Sequence, residues 1–414
     1  MKITPVKGTT DFLPKEAELR DYMQQQIIST YKNYGFNRIY TPILEDIENL
    51  EKSDGGDNLS LIYKVLKRGD KFVKSIENKD FDNLADLGLR YDLTLPLSRF
   101  YSCHKAELPS PFKCIQVDRV FRAERPQKGR SRELVQCDID ILGSNSCNCE
   151  IELIDVTAQA LLNIGLSNFK IRINDRQLLR KTLVSLGFSL FDLDSVCITF
   201  DKLDKIGAQG VKEELLAKQF DVAACQNLYD FVENKPSKLE DIKSYVGDMP
   251  EYINLSNIID GVKKLAKGKY GIVFDISLVR GQGYYTGAVF EIQSDDFFCS
   301  IGGGGRYDNL VGKFTGESIP AVGFSIGFER IYSILNDKGF KLPQKKNKLA
   351  IIYKDNDFVQ AMEYAKSVSY QYDFCLFEMP NKLGKFLNRL CEQDFTNYVV
   401  FGENSNEIKD LVKF

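Results

Sequence analysis

The sequence predicts an α+β fold in more than one domain, and three observations carry that prediction. Residues 115–142 read as an antiparallel hairpin with a long loop. Residues 115–122 alternate with period two, and so do 134–142, where Val135, Cys137, Ile139 and Ile141 share one face and Gln136, Asp138 and Asp140 the other. Pro126 and Gly129 fall in the connection. From 176 to about 267 the apolar spacing changes to three and four, from Leu178, Leu179, Leu183 and Leu186 to Ile258, Ile259, Val262 and Leu265. Glycines thin out there and strand signals fade, so a helical insertion of about ninety residues is expected. After residue 348 the pattern alternates as strand 349–353, helix 357–370, strand 373–377, helix 383–393 and strand 398–401, which predicts a small α/β domain with parallel pairing.

The remaining elements follow in order. Residues 15–34 carry apolar positions at helical spacing, with Ile27, Ile28 and Tyr31 among them, and a strand at 38–40 stops at Pro42. The polar stretch 50–82 contains Gly55 and Gly56, and its Lys-rich part at 63–74 reads as a second hairpin. A strand is expected at 87–93, and Pro96 opens a helix reaching 103. Ile151, Ile154, Ala158 and Leu161 line one face of a helix at 150–164. Strand character returns at 271–279 and 283–293 around Arg280-Gly281-Gln282-Gly283, which predicts another hairpin-like unit. Gly302 to Gly305 precede Arg306-Tyr307-Asp308; glycines between pleated runs let a ligand approach the backbone closely. A strand-to-helix passage at 321–335 contains Phe328-Glu329-Arg330, and 337–348 reads as a basic linker.

Composition narrows the function classes. A chain of 414 residues with 43 % apolar and 12 % aromatic content suggests two or three domains with ample cores. A net charge of −3 argues against a protein that coats nucleic acid by charge alone, while leaving room for a local basic patch. The N-terminus has no apolar core of signal-peptide length, and no apolar run approaches the ~20 residues of a membrane span, so no membrane partner is expected. The 10 cysteines include no Cys-x-x-Cys pair, and Cys147 and Cys149 stand too close for the usual zinc spacing. Free thiols in a reducing cytoplasm, and no metal-ligating set, are the expectation. The single histidine, His104, leaves nothing from which to build a Ser-His-Asp triad or a histidine-based zinc site.

The chemistry concentrates in the first hairpin. Arg119, Arg122, Arg125, Lys128, Arg130 and Arg132 gather around its turn. A solvated basic turn is the plain alternative. A guanidinium, however, presents paired donors to phosphate oxygens, and the adjacent polar strand face makes a pocket floor. There an acceptor such as Asp140 suits a ligand ammonium group and Arg122 suits a ligand anion.

With these pieces in order, the chain resembles the class II aminoacyl-tRNA synthetases and, among them, the histidyl-tRNA synthetases, from residue 1 to roughly residue 400. Residues 35–42, Gly-Phe-Asn-Arg-Ile-Tyr-Thr-Pro, resemble the first class-defining motif, which in the family builds a dimer interface. Phe121-Arg122-Ala123-Glu124-Arg125-Pro126 through Gln136 and Asp140 resemble the second, and Gly323 to Arg330 the third. Leu278-Val279-Arg280-Gly281 followed by Tyr284-Tyr285-Thr286-Gly287, and Gly304-Gly305-Arg306-Tyr307-Asp308, resemble the histidine-specific signatures.

The resemblance implies an antiparallel sheet flanked by helices, in two catalytic segments at 1–172 and 269–336. Between them 173–268 would be a helical domain clamping the tRNA acceptor arm; after the linker, 349–414 would be a short α/β anticodon-binding-like domain. It implies ATP and histidine as substrates, Mg²⁺ on the phosphates, tRNA(His) as acceptor, a homodimer and a cytoplasmic location. By the same resemblance Arg122 holds the α-phosphate, Arg330 the γ-phosphate, and Glu124 the adenine region. Arg280 lies between the histidine carboxylate and the α-phosphate. Asp92, Thr94, Gln136 and Asp140 hold the ammonium, and Tyr284, Tyr285 and Arg306 line the imidazole pocket. The chain departs from the family at Gln282-Gly283, where Leu-Asp is usual, and its last domain is shorter than usual. The other readings are a non-aminoacylating relative, of the kind that regulates ATP phosphoribosyltransferase, and an amino-acid-activating enzyme with another acceptor. Arg122, Arg280 and Arg330 favour the ligase, because a pure sensor needs no γ-phosphate clamp.

Overall fold

The computed structural model describes residues 3–412 except 53–55, 128, 235, 280–283, 298, 344–345 and 404–405, and leaves the side chains of 56–58 undescribed. It divides into two units, Met1–Phe340 and Lys341–Phe414.

The strands of the first unit are, in chain order, β1 (Asn37–Arg38), β2 (Leu44–Asp46), β3 (Tyr63–Leu66), β4 (Ala85–Leu89), β5 (Phe112–Phe121), β6 (Glu133–Leu142), β7 (Phe169–Asp175), β8 (Gly271–Phe274), β9 (Ala288–Ser294), β10 (Gly302–Arg306) and β11 (Ala321–Gly327). Eight form one sheet in the order β1-β5-β6-β11-β10-β9-β7-β8, and β2-β4-β3 form a small second sheet. Every pair from β5 to β7 is antiparallel. The two parallel pairs, β1 with β5 and β7 with β8, lie at the edges. This is the antiparallel sheet flanked by helices that the resemblance implied.

Helix Pro14–Asn33 buries Leu19, Met23, Ile27 and Tyr31, four residues apart, and packs on helix Asn148–Asn163. The Asn163 amide donates to Thr30 Oγ1 at 2.9 Å where their ends meet. Helix Asn148–Asn163 buries residues on most of its circumference because it also packs against β11 and helix Pro250–Ala266.

Between β7 and β8 the described residues form helices without a strand, including Arg176–Ser185, Leu193–Phe200, Val222–Glu233 and Pro250–Ala266. Asp175 caps the first of these by accepting from the backbone N–H of Gln177 and Leu178. Pro250 opens the last of them.

Two expected hairpins take other forms. Strands β8 and β9 do not pair with each other, because β7 lies between them. A parallel partner needs a long crossover, and the helical segment is that crossover. The segment 63–74 is strand β3 followed by helix Asp70–Glu77, with Gly69 at φ 59° breaking the run. Strand β3 pairs with β4 instead.

The second unit contains β12 (Asn347–Tyr353), β13 (Tyr372–Glu378), β14 (Asn397–Val400) and β15 (Lys409–Asp410) in the order β13-β12-β14-β15. The first three are parallel, and β15 is antiparallel to β14. Leu349 and Ile351 pack with Ala361 and Ala365 of helix Phe358–Val368. Ala350 and Ile352 pack with Leu387 and Leu390 of helix Leu383–Glu392. A central strand covered on both faces explains the continuous apolar run Leu349 to Ile352.

Candidate active site

The β6–β11 ladder floors a cavity that several of the sequence-predicted residues line. Asp140 stands opposite Gly323, Asp138 opposite Ser325, and Gln136 opposite Gly327. These positions alternate along β6, so their side chains share a face, and Asp140 and Gln136 are separated by about 13 Å of strand. The glycine opposite Asp140 makes room for its carboxylate. A Cβ on Gly323 would stand 2.0 Å from Asp140 Oδ1, and one on Gly304 of β10 would stand 1.9 Å from the Gly323 carbonyl oxygen. The glycine run expected to admit a ligand is thus itself a strand in mid-sheet.

Around this floor the fold brings together Asp92, Thr94, Arg122, Glu124, Gln136, Asp140, Tyr284, Tyr285 and Arg330. Asp92 and Thr94 arrive from the turn after β4, where Asp92 Oδ1 accepts from Leu95 N–H at 3.2 Å at the start of helix Thr94–His104. Arg122 follows β5. Its Nε donates to the Tyr91 carbonyl at 3.0 Å and its Nη2 to Gln136 Oε1 at 3.2 Å. Arg330 lies in the first turn of helix Phe328–Asp337 and donates to the carbonyls of Ser300 and Gly129. Arg280 lies outside the described residues.

Three further residues complete the acidic end: Asp138, Ser325 and Tyr307. Ser325 Oγ donates to Asp138 Oδ1 at 2.5 Å, and Tyr307 Oη donates to Asp140 Oδ1 at 2.6 Å. The rings of Tyr284 and Tyr307 meet edge to face at 6.1 Å, and those of Tyr284 and Tyr285 stand 4.9 Å apart. Asp138 was legible on the polar face of its strand. Tyr307 is adjacent to Arg306, and extended chain sends neighbouring side chains to opposite sides, so only one of the two can face the cavity.

Arg306 is the one that turns away. Its guanidinium forms a two-pronged pair with Glu150, Nε to Oε1 at 2.6 Å and Nη2 to Oε2 at 2.8 Å, and lines a separate small pocket. The structure does not place it at an imidazole pocket, because a buried carboxylate from helix Asn148–Asn163 claims it. Other members of the basic cluster also have partners. Arg119 pairs with Glu133 at 2.9 Å, Arg132 Nε donates to the Glu124 carbonyl at 3.2 Å, and Arg130 stands 3.6 Å from the Glu124 carboxylate at the cavity wall. Arg125 is exposed, and Lys128 lies outside the described residues.

Three buried acids in one cavity disturb each other's protonation. Burial pushes the Asp138 carboxyl up to about 7; the Ser325 hydrogen bond opposes this, Asp92 adds to it, and Arg122 opposes it. Burial likewise raises Asp92 to about 6 against its backbone hydrogen bond from Leu95 and the charge of Arg122. Asp140 is raised by burial and by Asp138. Asp92 Oδ2 is buried with no hydrogen-bond partner among the described residues. A ligand ammonium group carries several donors that such a set of acceptors can take.

Known proteins are similar to this chain over most of its length. The family description "Histidyl-tRNA synthetase" matches residues 8–331. The histidine–tRNA ligase of Leifsonia xyli subsp. xyli is 43% identical over 346 residues, covering 80% of this chain and 80% of that protein. That of Cytophaga hutchinsonii is 32% identical over 419 residues, covering 96% and 92%. The crystal structure of histidyl-tRNA synthetase from Nostoc sp. PCC 7120 superposes with a TM-score of 0.82 at 27% identity, covering 99% of this chain and 95% of that one.

Proposed function

The chain belongs to the histidyl-tRNA synthetase family, and we propose that its cavity joins histidine to ATP and passes the histidyl group to the 3′ end of tRNA(His). One observation carries the assignment of the site: buried acids and tyrosines gather around the Asp140–Gly323 rung, whereas Arg330, Arg130 and Glu124 gather beyond the Gln136–Gly327 rung. That polarity suits a ligand pair that is cationic at one end and polyanionic at the other.

Asp92, Asp140, Thr94 and Gln136 take the α-ammonium, and Tyr284 and Tyr285, with Tyr307, wall the imidazole. Arg122 faces the α-phosphate, Arg330 the γ-phosphate, and Glu124 the adenine region. A histidine carboxylate oxygen then bonds to the α-phosphorus while the bond to the β-phosphate breaks, and pyrophosphate leaves with the electron pair. Charge builds on the phosphoryl oxygens, and Arg122, already oriented by Tyr91 and Gln136, stabilises it without reorganising. Arg280 is assigned beside the carboxylate on family resemblance. In the second step a ribose hydroxyl of the tRNA terminus attacks the histidyl carbonyl carbon and AMP departs.

Among the described residues no group of three His, Cys, Asp or Glu side chains could hold a metal by themselves. A Mg²⁺ would be carried on the nucleotide phosphates, with Glu124 offering a carboxylate at the cavity wall, whereas both oxygens of Glu329 are held by Arg20. When bound, the ion neutralises charge on the departing pyrophosphate.

The wider assignments are also proposals. The helical segment after β7 clamps the acceptor arm, and the unit from Lys341 contacts the anticodon stem-loop. A homodimer forms through the region of β1; that β1 is a sheet edge, with Tyr40 and Leu44 exposed close by, supports this. Among the described residues no helix is long and apolar enough to cross a membrane. The 10 cysteines are free thiols, which supports a cytoplasmic setting.

Purified protein is expected to catalyse histidine-dependent exchange of pyrophosphate into ATP and to charge tRNA(His). Absence of exchange overturns the proposal, and exchange without charging restricts it to amino-acid activation.

A further inference from the structure

We infer that the buried Arg306–Glu150 ion pair is a positioning device that holds the tyrosine walls of the amino-acid end in their binding arrangement. The inference rests on the assignment of that end to histidine.

Both partners are sequestered: the side chain of Arg306 is 11% exposed and that of Glu150 3%. Beyond the two-pronged pair, Arg306 Nη1 donates to the Ser144 carbonyl at 3.2 Å and to Asp308 Oδ1 at 3.3 Å. Asp308 Oδ1 also accepts from Ala321 N–H, the first residue of β11, at 2.9 Å. One guanidinium therefore ties the end of β10 to the start of helix Asn148–Asn163 and, through Asp308, to β11.

The backbone at this hub carries the tyrosines. Thr286 N–H donates to the Arg306 carbonyl at 2.7 Å, and Thr286 Oγ1 accepts from Asp308 N–H at 3.1 Å. Thr286 immediately follows Tyr285 and Arg306 immediately precedes Tyr307. The anchored points thus stand one residue from two of the three rings. Tyr285 packs against β10 at Gly305, where a Cβ would stand 2.8 Å from its Cδ1. Among the described residues the Arg306 guanidinium bonds to Glu150, Ser144, Ser146 and Asp308, whereas Arg330, at the phosphate end, donates to the carbonyls of Ser300 and Gly129. Loosening the clamp should therefore loosen histidine and spare ATP.

Removing one member of a buried pair strands the other charge and threatens folding, whereas replacing both with apolar groups of similar size is commonly tolerated; Asp308, 27% exposed, keeps its hydrogen bond from Ala321 N–H. The test therefore compares Arg306→Lys with the double variant Glu150→Leu/Arg306→Met, each checked by thermal melting. Steady-state ATP–pyrophosphate exchange then gives separate KM values. For both variants the expectation is a histidine KM at least tenfold higher, an ATP KM within twofold, and at least tenfold weaker preference for histidine over β-(2-thienyl)alanine. A well-folded double variant with the original histidine KM overturns the inference. So does an equal rise in both KM values, which marks general distortion. If the unaltered protein shows no histidine-dependent exchange, the functional assignment falls first, a result read before any variant is made.

Discussion

The two ends of the cavity are built on opposite plans. At the amino-acid end Asp92, Asp138 and Asp140 are 3–5% exposed, and two of the three accept hydrogen bonds from buried or half-buried hydroxyls. At the phosphate end the side chain of Arg130 is 51% exposed, and its partner Glu124 stands at 3.6 Å. The difference fits what each end is proposed to recognise. Selecting one amino acid requires that a wrong occupant leave buried groups unpaired, which costs far more inside a dry network than in water. A triphosphate brings several charges of its own and needs only guanidiniums that can reach them. Arg122 belongs to both plans, since it touches Gln136 on the floor and lowers the protonation tendency of Asp92 and Asp138.

Breaking that shared residue should have the largest effect. Arg122→Ala is expected to lower kcat for ATP–pyrophosphate exchange by about 10³-fold, the scale for removing one preorganised donor from developing charge. It should also raise the histidine KM, because the acids lose a counter-charge. A loss confined to the ATP KM would return Arg122 to the phosphate end alone. Gly323→Ala should break only the acidic end. Its Cβ would stand 2.0 Å from Asp140 Oδ1, so the carboxylate must leave its place. Histidine-dependent exchange is expected to fall about 10²-fold, with equilibrium nucleotide binding preserved in a dialysis assay.

The ends also differ in how far the sequence disclosed them. The floor was legible because β6 alternates strictly, and period two alone puts Gln136, Asp138 and Asp140 on one face. The three class-defining motifs and the α/β pattern after residue 348 were equally plain. What escaped was long-range. Strand β7 alternates as well, with Ile171 and Ile173 buried, yet nothing local says that it inserts between β8 and β9. The side-chain direction of Arg306 depended on Glu150, a partner 156 residues away. Its neighbour Tyr307 is the residue whose hydroxyl reaches Asp140. Motif spacing located the right pair of residues without saying which of the two enters the cavity.

The acidic end should also reveal itself through pH. Asp138 is raised from an ordinary carboxylate value near 3.8 to about 7, so folding favours its protonated form. Its contribution to stability is fully present below pH 3.8 and is lost as pH rises through about 7. Asp138→Asn removes the penalty of a buried charge while keeping the shape. Ligand-free Asp138→Asn is therefore expected to melt higher than the unaltered protein at pH 8, by the equivalent of a few kcal/mol. The two should converge near pH 4. Melting temperatures measured from pH 4 to 8 check this. A constant difference would mean that the carboxylate stays ionised throughout and that the two ends are electrostatically alike.

The smallest effect is expected at Glu124, and it is the sharpest check that the ends are separable. Glu124 is partly exposed, its charge faces Arg130 at 3.6 Å, and water can replace much of what it offers a nucleotide. Glu124→Ala should cost about one ordinary hydrogen bond, roughly 1 kcal/mol, which is a fivefold rise in the ATP KM. The histidine KM should stay within twofold, because neither Gln136 nor the acids bond to this side chain. An equal rise in the histidine KM would mean that the loop after β5 transmits strain to the floor through Arg122, two residues earlier, and the cavity would have to be treated as one cooperative network.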